Sequence, residues 1–194
     1  MPMNSSQATP HSTFNPRMLA LTGMIAFAAA VRLLVYFMPG VLPYNFTPVA
    51  AIALFGGAYF NDRKLALLVP LLAMLLSDWA IGLRTLDPVV YACFAAMVLV
   101  GAGVLRGRHG VLRTALTAAG SATGFFLVTN FSVWVQSGMY PHSAAGLTAC
   151  YVAGLPFYAY GSLPGTLLWS AVLFGGFALL TRRYPALRAQ PLSA

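Results

Sequence analysis

The chain has 194 residues, 59% of them hydrophobic and 7% charged, with 11 Lys and Arg against 3 Asp and Glu for a net charge of +8. A soluble domain carries roughly 25% charged residues, so a water-soluble globule is excluded, and so few carboxylates leave no stock for a carboxylate-based active site or an oxygen-ligand metal cage. The basic residues fall in small groups between long apolar runs, which is the pattern of an integral membrane protein and not of a nucleic-acid binder.

In chain order, Met1 to Pro16 is polar, without formal charge, and reads as a disordered cytoplasmic tail. The apolar run opens only at Met18 and is long enough to span, so it reads as a retained first helix and not as a signal peptide. A helix needs about 20 residues to cross about 30 Å of hydrocarbon. On that ruler six spans are expected: Met18 to Met38, Thr47 to Phe60, Leu65 to Leu83, Pro88 to Leu105, Val111 to Gln136 and Gly165 to Leu180. Thr47 can cap the second helix, and Pro48 suits its first turn. Between the last two spans, Gly138 to Pro164 is too apolar for a free loop and too broken by Pro and Gly for a span. The expected class is therefore all-α, a six-helix membrane domain over residues 17–184, followed by a cytoplasmic tail over 185–194.

Positively charged loops stay in the cytoplasm. Arg17, the pair Arg63 and Lys64, the trio Arg106, Arg108 and Arg113, and the trio Arg182, Arg183 and Arg188 fall on one side, whereas Arg84 stands alone on the other. Both termini are thus expected in the cytoplasm, and an even number of spans follows.

The unusual polar and aromatic residues gather toward the opposite, outer side. An ionised side chain at mid-span costs about 2.5–3.5 kcal/mol and faces protein or a wet cavity. Arg32 and Asp78 are the two charges within spans; they have opposite sign and similar depth, so they read as an ion pair, a ligand site, or both. Asn45, Phe46, Tyr91, Asn130, Trp134 and Tyr151 join them as candidate substrate-binding residues. Small residues let membrane helices approach closely: Ala26 and Ala30, Gly120 and Gly124, Gly56 and Gly57, and Gly175 and Gly176 are such positions, for internal packing or for a partner. Cys93 and Cys150 read as small buried residues, a disulfide, or soft-metal ligands. His11, His109 and His142 lie in the tail, an inner loop and an outer loop, and do not form one metal site. No Ser-His-acid set, phosphate-cradling loop or helical His pair is present, so the chain is not expected to be an enzyme or to carry its own ATP motor.

Particular strings stand out: Asn45-Phe46-Thr47-Pro48-Val49 leading to Ala53-Leu54-Phe55-Gly56-Gly57-Ala58, then Leu76-Ser77-Asp78, Thr129-Asn130-Phe131-Ser132-Val133-Trp134, Gly146 to Tyr151 with Leu155-Pro156-Phe157, and Ala171 to Gly176. As a set they resemble a family of small bacterial membrane proteins described as transport proteins and related to the substrate-binding S-components of energy-coupling factor (ECF) transporters. The resemblance implies a six-helix, S-component-like fold in the bacterial inner membrane whose outer half captures a vitamin or similar micronutrient. It implies docking of Ala26 and Ala30 on an ECF-type transmembrane and ATPase module, or uptake without one. Where an acidic residue would follow the glycine of Leu163-Pro164-Gly165, this chain has Thr166, so a role carried by that acid does not transfer. The solitary cobalamin-binding type uses a cysteine as cobalt ligand. Cys93 is compatible with that role, which makes cobalamin, as transported ligand and not as resident cofactor, the leading substrate. The alternative class is a non-transporting scaffold in a membrane complex.

Overall fold

The computed structural model describes residues 16–83, 86–108 and 110–183, and these are helical without any extended strand. The helices are α1 (Pro16–Phe37), α2 (Val49–Tyr59), α3 (Arg63–Ala80), α4 (Pro88–Val100, prolonged by a π-helical turn Gly101–Leu105), α5 (Val111–Gln136), α6 (Ala144–Pro156), α7 (Leu163–Ser170) and α8 (Gly176–Arg183). The expected terminal tails fall almost wholly outside the described residues. Among the described residues, three helical runs are long and apolar enough to cross a membrane: Pro88–Leu105, Val111–Gln136 and Ala144–Arg183. Thr22–Phe37 and Val49–Tyr59 are apolar but shorter.

The expected break between the last two helices is much shorter than the sequence suggests, confined to residues 137–143. α6, α7 and α8 are joined by π-helical turns at Phe157–Ser162 and Ala171–Gly175 into one run of 40 residues, about 60 Å of helix at 1.5 Å per residue. The segment Gly138 to Pro164 is therefore mostly helix, and the helix containing Gly165 to Leu180 begins at Ala144. A proline cannot donate to the carbonyl four residues back, and its ring clashes there. Pro156 and Pro164 flank the first π turn, where the hydrogen-bond register changes anyway, so the rod continues through them.

Two further boundaries move. α2 begins at Val49 behind Pro48, which sits in helical geometry with no side-chain cap, so Thr47 does not cap it. α3 stops at Ala80 instead of Leu83, because Gly82 and Leu83 take positive φ (90° and 59°) and the Leu83 N–H turns back to the Asp78 carbonyl at 2.7 Å. Two of the three acids open helices: Asp62 accepts from the Lys64 and Leu65 amides, and Asp87 from the Val89 amide, each satisfying donors that a helix start leaves orphaned.

α2, though short, is the centre of the bundle. Every residue from Val49 to Ala58 is buried, against α3, α4 and α7. Gly57 lies against the Val98 carbonyl and Gly101 against the Leu54 carbonyl, so α2 and α4 touch backbone to backbone. At the C-terminal end of α2, Arg106 donates to the carbonyls of Gly57 (3.0 Å) and Phe60 (2.6 Å). Beside it Phe55, Tyr59, Phe174 and Phe177 pack ring on ring, with centroids 4.5–5.6 Å apart. This aromatic plug closes the end of the bundle that carries Arg63, Lys64, Arg106, Arg182 and Arg183.

Among the described residues, two side-chain polar atoms closed off from solvent and from any water-sized cavity have no partner, Trp169 Nε1 and Ser170 Oγ. An unmet buried hydroxyl costs about 1–3 kcal/mol, and alanine is the better helix former. Ser170→Ala is therefore expected to raise the unfolding free energy in detergent by about 1 kcal/mol; a loss of stability would mean that the hydroxyl does have a partner.

Candidate functional site

At the end opposite the plug, α1 and α3 are joined by the expected ion pair. Arg32 Nη2 donates to Asp78 Oδ1 at 2.8 Å, and Asp78 is fully buried while the Arg32 side chain is 15% exposed. Arg32 Nη1 donates to the Met74 carbonyl at 3.1 Å and to Ser77 Oγ. Ser77 donates back to its own helix at the Ala73 and Met74 carbonyls. The Tyr91 hydroxyl, from α4, donates to Asp78 Oδ2 at 2.7 Å. One carboxylate thus ties α1, α3 and α4 together, and such bonds to an ionised acceptor are about twice as strong as neutral ones.

This tie holds the Arg32 guanidinium on the wall of a cavity of about 310 Å³. Polar groups converge on it from every side: Arg32 from α1, Asn45 and Thr47 from the connection before α2, Asp87 from the start of α4, and Ser162 and Thr166 from the long C-terminal rod. Phe94 of α4 and Phe125 of α5, with ring centroids 5.4 Å apart, supply an apolar wall. A second chamber of about 290 Å³ adjoins it, sharing Asn45, Phe125, Thr129, Val133 and Ser162, and extends to Asn130, Cys150 and Tyr158.

The side chains of Asn45, Thr47, Ser162 and Thr166 make no hydrogen bond with any described residue. Ser162 and Thr166 are nevertheless buried. Elsewhere in the bundle helical hydroxyls are satisfied in the usual way, as Thr129 and Thr123 are by the carbonyls one turn back at 2.8 Å each. Buried polar groups are normally bonded, so the buried Ser162 and Thr166 hydroxyls, with the half-buried Thr47 and the exposed Asn45 beside them on one cavity, mark the place where an exogenous molecule or water completes them.

The match to a family profile covers residues 12–187, most of the chain. The chain belongs to DUF6580, a family of unknown function. No curated protein and no solved structure matches it.

In this DUF6580 chain the sequence-predicted site residues separate into layers. Arg32 and Asn45 line the main cavity, and Asn45 and Asn130 line the second chamber. Asn130 is tied at Nδ2 to the Phe126 carbonyl, 2.8 Å, and its amide lies against Gly154. Asp78 and Tyr91 stand behind Arg32 and position it. Phe46 backs the wall, packed on Gly165 and tilted against Trp169. Tyr151 bonds the Leu127 carbonyl at 2.9 Å, and Trp134 bonds the Pro141 carbonyl at 3.0 Å beside the His142 ring, so both fasten α5 to the segment that follows it. Ala26 and Ala30 are exposed on α1.

Cys93 lies elsewhere. Val90, Phe94 and Met97 are the α4 stripe facing the cavity, whereas Cys93, Ala96 and Val100 face an open apolar groove of about 420 Å³ against Gly120 and Gly124 of α5. Cys150 is buried and donates to the Asn130 carbonyl at 3.3 Å; both cysteines are free thiols. Among the described residues no three His, Cys, Asp or Glu side chains gather as metal ligands.

Sequence reasoning missed Thr47, Asp87, Ser162 and Thr166 as lining residues. The hydroxyls of Ser162 and Thr166 are four apart in an apolar stretch, a helical spacing that placed them on one face, but the supposed break at Pro164 concealed it.

Proposed function

We propose that this chain is a six-span inner-membrane protein that captures a small molecule from the non-cytoplasmic side and delivers it inward, in the manner of an ECF S-component. The observation that carries the reading is the convergence of unpartnered polar groups on a cavity walled by Phe94 and Phe125. The charge distribution supports the orientation: the plugged end bears the basic residues that favour the cytoplasm, and the cavity lies at the other end. α1, α2 and α3 supply the three spans beyond the long apolar runs; α3 offsets its charges by a capped start and by the Asp78–Arg32 pair. Ala26 and Ala30, exposed on α1, suit docking on a partner module of small-residue character.

The geometry supports a ligand smaller than cobalamin. Two chambers of about 300 Å³ lie at the low end of the range for small-molecule sites, and the Cys93 sulfur faces away from both.

The test is direct. Small molecules released by denaturing the purified protein are identified by mass spectrometry and compared with those from Thr166→Phe, which fills the cavity from a position already helical. One compound near one per chain in the wild type, reduced at least tenfold in Thr166→Phe at equal yield, is expected. Equal recovery from both proteins would remove the cavity from the account.

A further inference from the structure

Resting on that reading, the cavity's two charged residues define what it takes. Of the five N–H donors of an arginine, Arg32 commits two at Nη1 to Met74 and Ser77 and one at Nη2 to Asp78. Its Nε–H and second Nη2–H have no acceptor among the described residues, and the side chain borders the cavity. Asp78 already neutralises its charge, so Arg32 offers directional donors and no surplus positive field. Asp87 is the reverse case. Its Oδ1 accepts the Val89 amide at 2.8 Å, while Oδ2 accepts nothing from the described residues, and the side chain borders the same cavity. The Phe94 and Phe125 rings line the same cavity.

We propose that the cavity binds an amphoteric aromatic molecule, with a carboxylate or carbonyl acceptor on Arg32, an ammonium or other cationic donor on Asp87, and a planar ring against Phe94 and Phe125. A simple anion gains only the Arg32 bonds and meets the Asp87 carboxylate. A simple cation gains Asp87 but leaves the Arg32 donors unmet. The molecule carrying both satisfies both, and unmet buried donors and acceptors are what make such discrimination steep.

Asp87→Asn separates binding from folding, because asparagine caps a helix as well as aspartate does. The purified full-length protein is titrated with four probes of one ring size: tryptophan (both groups), tryptamine (cation), indole-3-propionate (anion) and indole (neither). Tryptophan is expected to bind at least tenfold tighter than indole-3-propionate, with tryptamine between. Asp87→Asn is expected to weaken tryptophan and tryptamine at least tenfold and to leave indole-3-propionate unchanged or tighter. Tryptophan no tighter than the anion, or equal losses across all probes in the variant, overturns the substrate class while leaving the cavity as a site. Failure of every probe to bind at millimolar concentration also overturns the class; if nothing co-purifies with the wild type either, the binding reading falls with it.

Discussion

Replacing Asp78 with alanine is expected to destabilise the bundle by about 3–5 kcal/mol, the cost of removing one partner from a buried charge pair. Asp78 is fully buried, and its loss leaves the Arg32 guanidinium without its counter-charge and the Tyr91 hydroxyl without its acceptor. Asp78→Asn keeps a carbonyl oxygen for one of them and is expected to cost less. The double variant Arg32→Met, Asp78→Leu is expected to cost less than the sum of the two single changes, since a buried pair replaced by apolar groups of similar size is often tolerated. Equilibrium unfolding in mixed detergent measures all of these. Additive losses would mean that the two residues are stabilised independently and that the tie between α1 and α3 carries little.

The second large effect is at the α2–α4 contact. A Cβ on Gly57 would collide with the Val98 carbonyl and the Ala102 amide, and one on Gly101 with the Leu54 backbone. These are backbone atoms of paired helices and cannot rotate away, so Gly57→Ala and Gly101→Ala are each expected to cost about 1–3 kcal/mol, the usual penalty of overpacking. Gly103→Ala, in the π turn that prolongs α4, and Gly120→Ala, on α5, both with open space at their Cβ positions, are expected to gain about 0.5–1 kcal/mol from helix propensity. The comparison is made by thermal unfolding of the four purified variants. Equal behaviour would show that α2 and α4 do not meet through these glycines.

Much of this was legible in the chain. Hydrophobic run length located α1, α4 and α5 to within two residues, because a helix that must bury an apolar length declares it in composition. The scarcity of charge singled out Arg32 and Asp78, and the structure joins them. The C-terminal rod was misread because proline and glycine carry different meanings in a π turn and in a loop, and one-dimensional pattern does not separate them. The lining residues were hidden for a related reason. Thr47 reads as a cap and Asp87 carries no assignment in the sequence; only the meeting of six chain segments shows that both border one cavity. Cys93 draws attention by its chemistry, whereas the packing of α4 on α5 sets its surroundings: it borders the groove with Gly120 and Gly124 and not the cavity lined by Val90 and Phe94.

The central claim, that the cavity opens away from the cytoplasm, is tested by cysteine accessibility. In a background carrying Cys93→Ser and Cys150→Ala, single Thr47→Cys and Asn61→Cys variants are treated in intact cells with a maleimide that does not cross the inner membrane, and again after permeabilisation. Thr47 borders the cavity, and Asn61 is exposed at the plugged end between α2 and α3. Labelling of Thr47→Cys in intact cells, with Asn61→Cys labelled only after permeabilisation, is the predicted result. Labelling of Thr47→Cys only after permeabilisation, or of both variants from the same side, would contradict it.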